Sequence, residues 1–286
     1  MTETLRVGVL ADPYLREWQV RSLERVRADP TVDLSLVLVD EDAATDPEQA
    51  TIAKATTTAG VATGLEALSL FRSTLARERA WTLVLAEREL AERLGESRPL
   101  SARRHVSAVD IFDDAEIQYV TPEYDGAWAE LPSSAVRTIR TRCDVIVRYG
   151  FGLIRGEVLN APAHGVVSFH PADIRRYRGL GVPMAYFDGR EVIGVTLQRL
   201  TDDIDAGEIV AEATIPIDGK DTLWDVYDRV YAHQINLLAE GLRAIRDPDA
   251  EPTVPDELGP YYSMDRRRRL GFALRTLLRN VRRRLS

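Results

Sequence analysis

Residues 5–39 read LRVGVLADPYLREWQVRSLERVRADPTVDLSLVLV. Apolar runs over 5–11 and 32–39 flank residues 14–28, where Leu15, Val20, Leu23 and Val26 recur at helical spacing. Strand, helix and strand at this spacing predict a βαβ unit with a parallel sheet. The chain therefore opens as an α/β fold, with a mostly parallel sheet and flanking helices.

The pattern breaks after Asp40 and resumes near Asp114. A polar Ala/Thr stretch and a long helix-like segment over 64–94 fill the gap, so residues 43–112 are expected to be a helical insertion into a sheet. Beyond it, 116–120 (EIQYV) and 145–149 read as strands, with a helix over 134–142 between them. A strand over 166–169 ends at His170, and a further strand pair flanks the acid-rich turn at 202–205. A last helix over 222–246 places Leu223, Val226, Val230, Ile235, Leu238 and Leu242 on one face. These segments define one expected domain over 1–246, a Pro/Asp/Glu linker over 247–264, and a basic tail over 265–286.

The chain has 286 residues, 45% of them hydrophobic and 29% charged, which suffices for a full core and excludes a disordered or collagen-like protein. Cys143 is the single cysteine, so neither an intramolecular disulfide nor a cysteine zinc cage is encoded, and no metal site is expected. No basic segment followed by a long apolar run opens the chain, and no apolar run reaches spanning length, which predicts a cytoplasmic protein.

Net charge is distributed unevenly. The tail holds nine arginines against one acid, so within a total of -8 the remaining residues carry -16. Lys54 and Lys220 are the only lysines. An acidic, lysine-poor body suits a salty interior and disfavours a nucleic-acid partner. In the tail, Leu270, Leu274, Leu277, Leu278, Val281 and Leu285 recur at helical spacing among arginines. This amphipathic helix suits peripheral contact with an anionic membrane surface, or docking of its apolar face on the body or on a second subunit.

Chemistry concentrates at two places. Ligands of open α/β sheets bind beyond the carboxyl ends of strands, and His170 is the one histidine at such an end. The Asp202, Asp203 and Asp205 turn offers a carboxylate to orient it. A histidine so oriented can move a proton during acyl transfer to an amine.

Three segments carry a resemblance: CDVIVRYGFGLI at 143–154, GVVSFHPADIRRYRG at 165–179 and GVTLQRLTDDIDAG at 194–207. In that order they resemble the 10-formyltetrahydrofolate-dependent formyltransferases, a family that includes the catalytic domain of methionyl-tRNA formyltransferase and the sugar N-formyltransferases. His170 is followed eight residues later by Arg178 and Gly179, and Ile204-Asp205-Ala206-Gly207 matches the family's Leu-Asp-x-Gly turn. The resemblance implies a Rossmann-like formyltransferase fold with 10-formyltetrahydrofolate as formyl donor. Folate would lie between the 149–154 loop, with Gly150, Phe151, Leu153 and Ile154, and the 202–205 loop, with Asp202. His170 would accept or relay the proton of the attacking amine, and Asp205 would orient the imidazole.

The chain departs from the family at Ser168, where the family has an Asn whose amide donates to the oxyanion. A serine hydroxyl donates from a shorter side chain, and losing one such donor costs about 3 kcal/mol in a transition state. The loop after the first strand, Ala11 to Arg16, has no glycine, unlike the phosphate-cradling loop of the glycinamide ribonucleotide enzymes. Little chain follows Ile217 for the extra barrel of the tRNA enzymes. A small-molecule amine, such as an amino sugar, is the expected acceptor. Alternatives are hydrolysis of the donor to formate, a methionyl-tRNA formyltransferase-like activity, and a catalytically weakened homologue that binds a membrane or a partner. The oligomeric state is not encoded in any feature read above.

Overall fold

In the computed structural model, which describes residues 4–45 and 72–285, one seven-stranded sheet organises the chain. Its strands are β1 (Leu5–Ala11), β2 (Val32–Asp40), β3 (Glu116–Val120), β4 (Val145–Arg148), β5 (Val166–His170), β6 (Val192–Arg199) and β7 (Glu208–Pro216). They lie in the order β7-β6-β5-β4-β1-β2-β3. The five from β3 to β5 run parallel, and β6 is antiparallel to both β5 and β7. The expected mostly parallel α/β sheet is the observed one.

Side chains alternate across this sheet as the pleat requires. Val7, Val9, Val145, Val147 and Val167 face one layer, where α1 (Glu17–Arg27) contributes Val20, Leu23 and Val26. Leu10, Leu36, Leu38, Ile146 and Val166 face the other, covered by Ala135, Val136 and Ile139 of α3 (Ser133–Arg142). The first layer also holds α2 (Thr82–Arg93), α4 (Gly181–Asp188), α5 (Leu223–Arg246) and α6 (Leu270–Leu285). Strand order reverses between β1 and β4, so the carboxyl ends of those strands flank a switch point, the usual place for a site in such sheets.

Three local readings change. Residues 14–16 are not the first turn of α1 but a short strand, Tyr14–Arg16, paired with Arg103–His105. Gln19 reaches back to the Arg16 N–H at 2.7 Å and thereby sets the helix start at Glu17.

The helix expected over 64–94 lies partly outside the described residues, as does the Ala/Thr stretch before it. From residue 72 the chain is helical to 78, turns at Arg79 with φ +50°, and resumes as α2. The break buries Trp81 against Phe272 and sets Glu78 against Arg267 at 2.9 Å.

Residues 247–264, read as a linker, are stitched to the body. Thr253 bridges Ile209, and Tyr261–Tyr262 pairs in parallel with Arg178–Gly179. The tail forms the expected helix, but the residues buried are Phe272, Ala273, Thr276 and Asn280. Leu270, Leu274, Leu278, Val281 and Leu285 stay exposed. Phe272 stacks on Phe187 at 4.3 Å between ring centres, and Asn280 supplies the polar fit. An aromatic contact and a satisfied amide, not the leucine stripe, thus choose the docked face. No helix among the described residues is long and apolar enough to cross a membrane.

Candidate active site

Arg148, Ser168 and Gln198 stand in register across β4, β5 and β6. All three project to the α3 side of the sheet, the side of Ile146 and Val166, because each is two residues from an apolar side chain of that face or directly opposite one that is. His170 follows two residues after Ser168 on the same side, at the strand end. The sheet itself therefore aligns a polar row that ends on the histidine.

The β6–β7 connection brings Asp205 to that histidine. His170 Nδ1 lies 3.2 Å from Asp205 Oδ2, and His170 Nε2 lies 2.7 Å from the Tyr177 carbonyl. A carbonyl only accepts, so Nε2–H donates to it. The contact between Nδ1 and Oδ2 then requires one shared proton. The imidazole is nearly enclosed, with 4% of its side-chain surface exposed against 18% for Asp205, so the carboxylate is the outward member of the pair.

Asp205 is held on several sides. Gly179 N–H donates to Oδ2 at 2.8 Å and Gln198 Nε2 to Oδ1 at 3.1 Å. Burial pushes its pKa up, but the His170 bond and charge, the Gly179 N–H and the Gln198 amide together hold it below the usual carboxylate range. Its backbone has φ +47°, a left-handed conformation that aspartate tolerates at a modest cost. Arg178 fixes this turn by donating from Nε and Nη2 to the Ile204 carbonyl at 2.8 and 2.5 Å.

The Arg178-Gly179 pair thus has a physical role at each position. Arginine grips the turn, and glycine meets its carboxylate at φ +74°, where a Cβ would sit 2.4 Å from the Tyr262 carbonyl oxygen. The strap at Tyr261–Tyr262 backs this loop.

Ser168 does not stand free. Its Oγ accepts from Arg148 Nε at 3.2 Å and Nη2 at 3.0 Å, and its own proton points to the Arg148 carbonyl at 3.4 Å. Arg148 Nη1 also donates to the Gly152 carbonyl. Neither Arg148 nor Gln198 was among the residues expected at the site. Arg148 did carry a signal, being the one charged residue closing the apolar run Val145–Arg148.

The residues expected to hold folate divide. Asp202 is exposed and Leu153 half-buried, and the two loops meet where Gly156 N–H reaches Asp202 Oδ1 at 3.5 Å. Phe151 and Ile154 are instead packed into the α3-side core with Leu10 and Leu38. Gly150 is a close-approach position, since a Cβ there would sit 2.1 Å from Asp12 N. Asp12, at the end of β1, accepts from Phe151 N–H at 3.0 Å. Burial raises its pKa and Asp40 adds to this, outweighing the Phe151 N–H and the charges of Arg148 and Arg103. Burial also pushes the Cys143 thiol up to about 12, which leaves it an inert core residue and no nucleophile.

Residues 122–242 match the family model described as formyl transferase. A methionyl-tRNA formyltransferase of Lysinibacillus sphaericus (strain C3-41) is 32% identical over 117 residues, which is 40% of this chain and 37% of that protein. The chain spans less than half the length of the curated relatives it matches. A sugar N-formyltransferase from Shewanella sp FDAARGOS_354 shares the fold with TM-score 0.56 and 14% identity, covering 96% of this chain and 87% of that one. An N-formyltransferase from Helicobacter canadensis, in complex with folinic acid and dTDP-3-aminofucose, aligns with TM-score 0.54 and 12% identity over 97% of this chain and 80% of that one.

Proposed function

We propose that this chain, whose residues 122–242 match the formyl transferase family model, moves a formyl group from 10-formyltetrahydrofolate to the primary amine of a small acceptor, most simply an amino sugar. The observation that carries this reading is the contact of 3.2 Å between His170 Nδ1, at the carboxyl end of β5, and Asp205 Oδ2 of the β6–β7 connection. The donor supplies an activated formyl carbon, and the protein must manage the proton that the amine sheds. Asp205, as the outward member, takes that proton and returns one to the departing nitrogen, while His170 sets the charge of the pair. The exposed Asp202 and the half-buried Leu153 mark the seam against which the donor would lie.

The acceptor class rests on two observations. The Helicobacter canadensis neighbour pairs folinic acid with an amino-sugar nucleotide. The body's charge of -16 repels a polyanion such as tRNA. Incubation with 10-formyltetrahydrofolate and a nucleotide-linked amino sugar should give the formamido sugar and tetrahydrofolate in equal amounts, read by chromatography. Formate released without an acceptor would make the chain a hydrolase, and formylation of methionyl-tRNA alone would replace the acceptor.

A second proposal concerns α6, which we infer rests on an anionic lipid surface. Its exposed ridge of Leu270, Leu274, Leu278, Val281 and Leu285 runs beside the exposed Arg269, Arg275 and Arg282. Apolar residues that enter the headgroup boundary and arginines that meet anionic lipid suit this pairing. The chain should sediment with phosphatidylglycerol vesicles but not with phosphatidylcholine ones, and Leu274→Ser with Leu278→Ser should abolish that. Equal recovery with both vesicles, or self-association through this ridge, would overturn it.

A further inference from the structure

We propose that the Arg148 guanidinium is a catalytic group that stabilises the oxyanion formed during formyl transfer, in the place where Ser168 leaves no side-chain amide. The inference rests on the transferase reading above. When the amine nitrogen bonds to the formyl carbon, the carbonyl π pair moves onto oxygen. That oxygen must be met by donors until the pair returns, the bond from carbon to the folate nitrogen breaks, and the amine's proton ends on that nitrogen. The products are a formamide and tetrahydrofolate, with no other reactant.

Ser168 is poorly placed to be that donor. A hydroxyl has one proton, and that of Ser168 is directed to the Arg148 carbonyl while its lone pairs receive two guanidinium N–H groups. The hydroxyl acts as a bracket for Arg148. Of the five N–H groups of the guanidinium, Nε and one on Nη2 go to Ser168 and one on Nη1 to Gly152. Two N–H groups thus stay without a protein acceptor among the described residues, one on each terminal nitrogen.

Burial lowers the Arg148 pKa, and the charges of Asp205 and Asp12 oppose this in part, which puts the guanidinium within the field of the His170–Asp205 pair. Register gives the same result, since Arg148 is directly opposite Ser168, two residues before His170. A guanidinium held in place by Ser168 and Gly152, with N–H groups to spare, is the kind of donor a low-dielectric site needs for a developing negative oxygen.

The test is steady-state kinetics of wild type, Arg148→Met, Arg148→Ala, and Arg148→Met combined with Ser168→Asn. Arg148→Met should lower kcat by about 10²–10³-fold with little change in KM for either substrate, at an unchanged circular dichroism spectrum. Added guanidinium ion at millimolar concentration should restore part of the rate to Arg148→Ala. Ser168→Asn should restore part of it to Arg148→Met by supplying an amide donor. A merely structural arginine would give neither rescue, and its loss would appear in KM or in the thermal midpoint. Wild-type kcat in Arg148→Met, or no rescue by either route, overturns the proposal while leaving the transferase reading intact. Formyl transfer absent from the wild type overturns both.

Discussion

Asp205→Asn should lower formyl-transfer turnover by about 10²–10⁴-fold, the span usual for loss of a positioned proton-transfer group, while the thermal midpoint at neutral pH falls only by the contribution of the ionised carboxylate and the chain stays folded. The fold should tolerate the change because an asparagine oxygen can still accept the Gly179 N–H that lies 2.8 Å from Asp205 Oδ2. The amide cannot hold the proton that His170 Nδ1 and the carboxylate share. His170→Ala should cost a similar factor, and the double variant should cost no more than either single one, because both remove the same proton. Independent losses that multiply in the double variant would show that the two residues do not act as a pair.

The pH dependence has a fixed sign. The Asp205 pKa is lowered in the folded chain, so its contribution to stability is present above the unfolded value of 3.8 and is lost as the pH falls through the lower folded value. The parent should therefore lose stability relative to Asp205→Asn at the acid end, and its rate should fall there too.

Much of this site was legible in the strands and little of it in their neighbours. His170 and Asp205 could be named as candidates because a strand end and a turn between two strands are marked by local pattern, whereas Ser168 was singled out only by the resemblance, as the residue in place of the family's Asn. Arg148 was passed over because its role depends on which strand lies next to β5, and register between strands 20 residues apart in sequence is set by the sheet. The resemblance implied a folate contact at Phe151, within the 149–154 loop. A left-handed backbone at φ +66° turns it instead into the core with Leu10 and Leu38. The tail shows the same limit in a helix. Spacing identified its leucine ridge, but which face docks was decided by partners that periodicity does not contain, namely Phe187, Tyr186 and Glu87.

Asn280→Leu should destabilise the chain by roughly 3–5 kcal/mol, the sum expected when several buried polar groups lose a partner at once. Asn280 Oδ1 accepts from Tyr186 Oη and from the Leu223 N–H, each at 2.9 Å, and Nδ2 donates to Glu87 Oε2 at 2.9 Å. The Leu223 N–H is one of the orphan donors that open α5, and Thr222 caps Asp225 rather than this group. The tail thus completes the cap of a helix more than fifty residues earlier, which couples α6 to the core through hydrogen bonds as well as through the Phe272–Phe187 stack. Leucine is chosen because it fills the volume of asparagine, so a loss cannot be assigned to a cavity. Glu87 keeps Arg284 and the Trp224 indole as partners, which limits the damage to the groups that face Asn280. Leu278→Gln, on the exposed ridge, should change stability by less than about 0.5 kcal/mol, both variants being read by urea titration. If Asn280→Leu matched that small effect, α6 would be a loosely attached tail, and its docked face would not be what holds the leucine ridge outward.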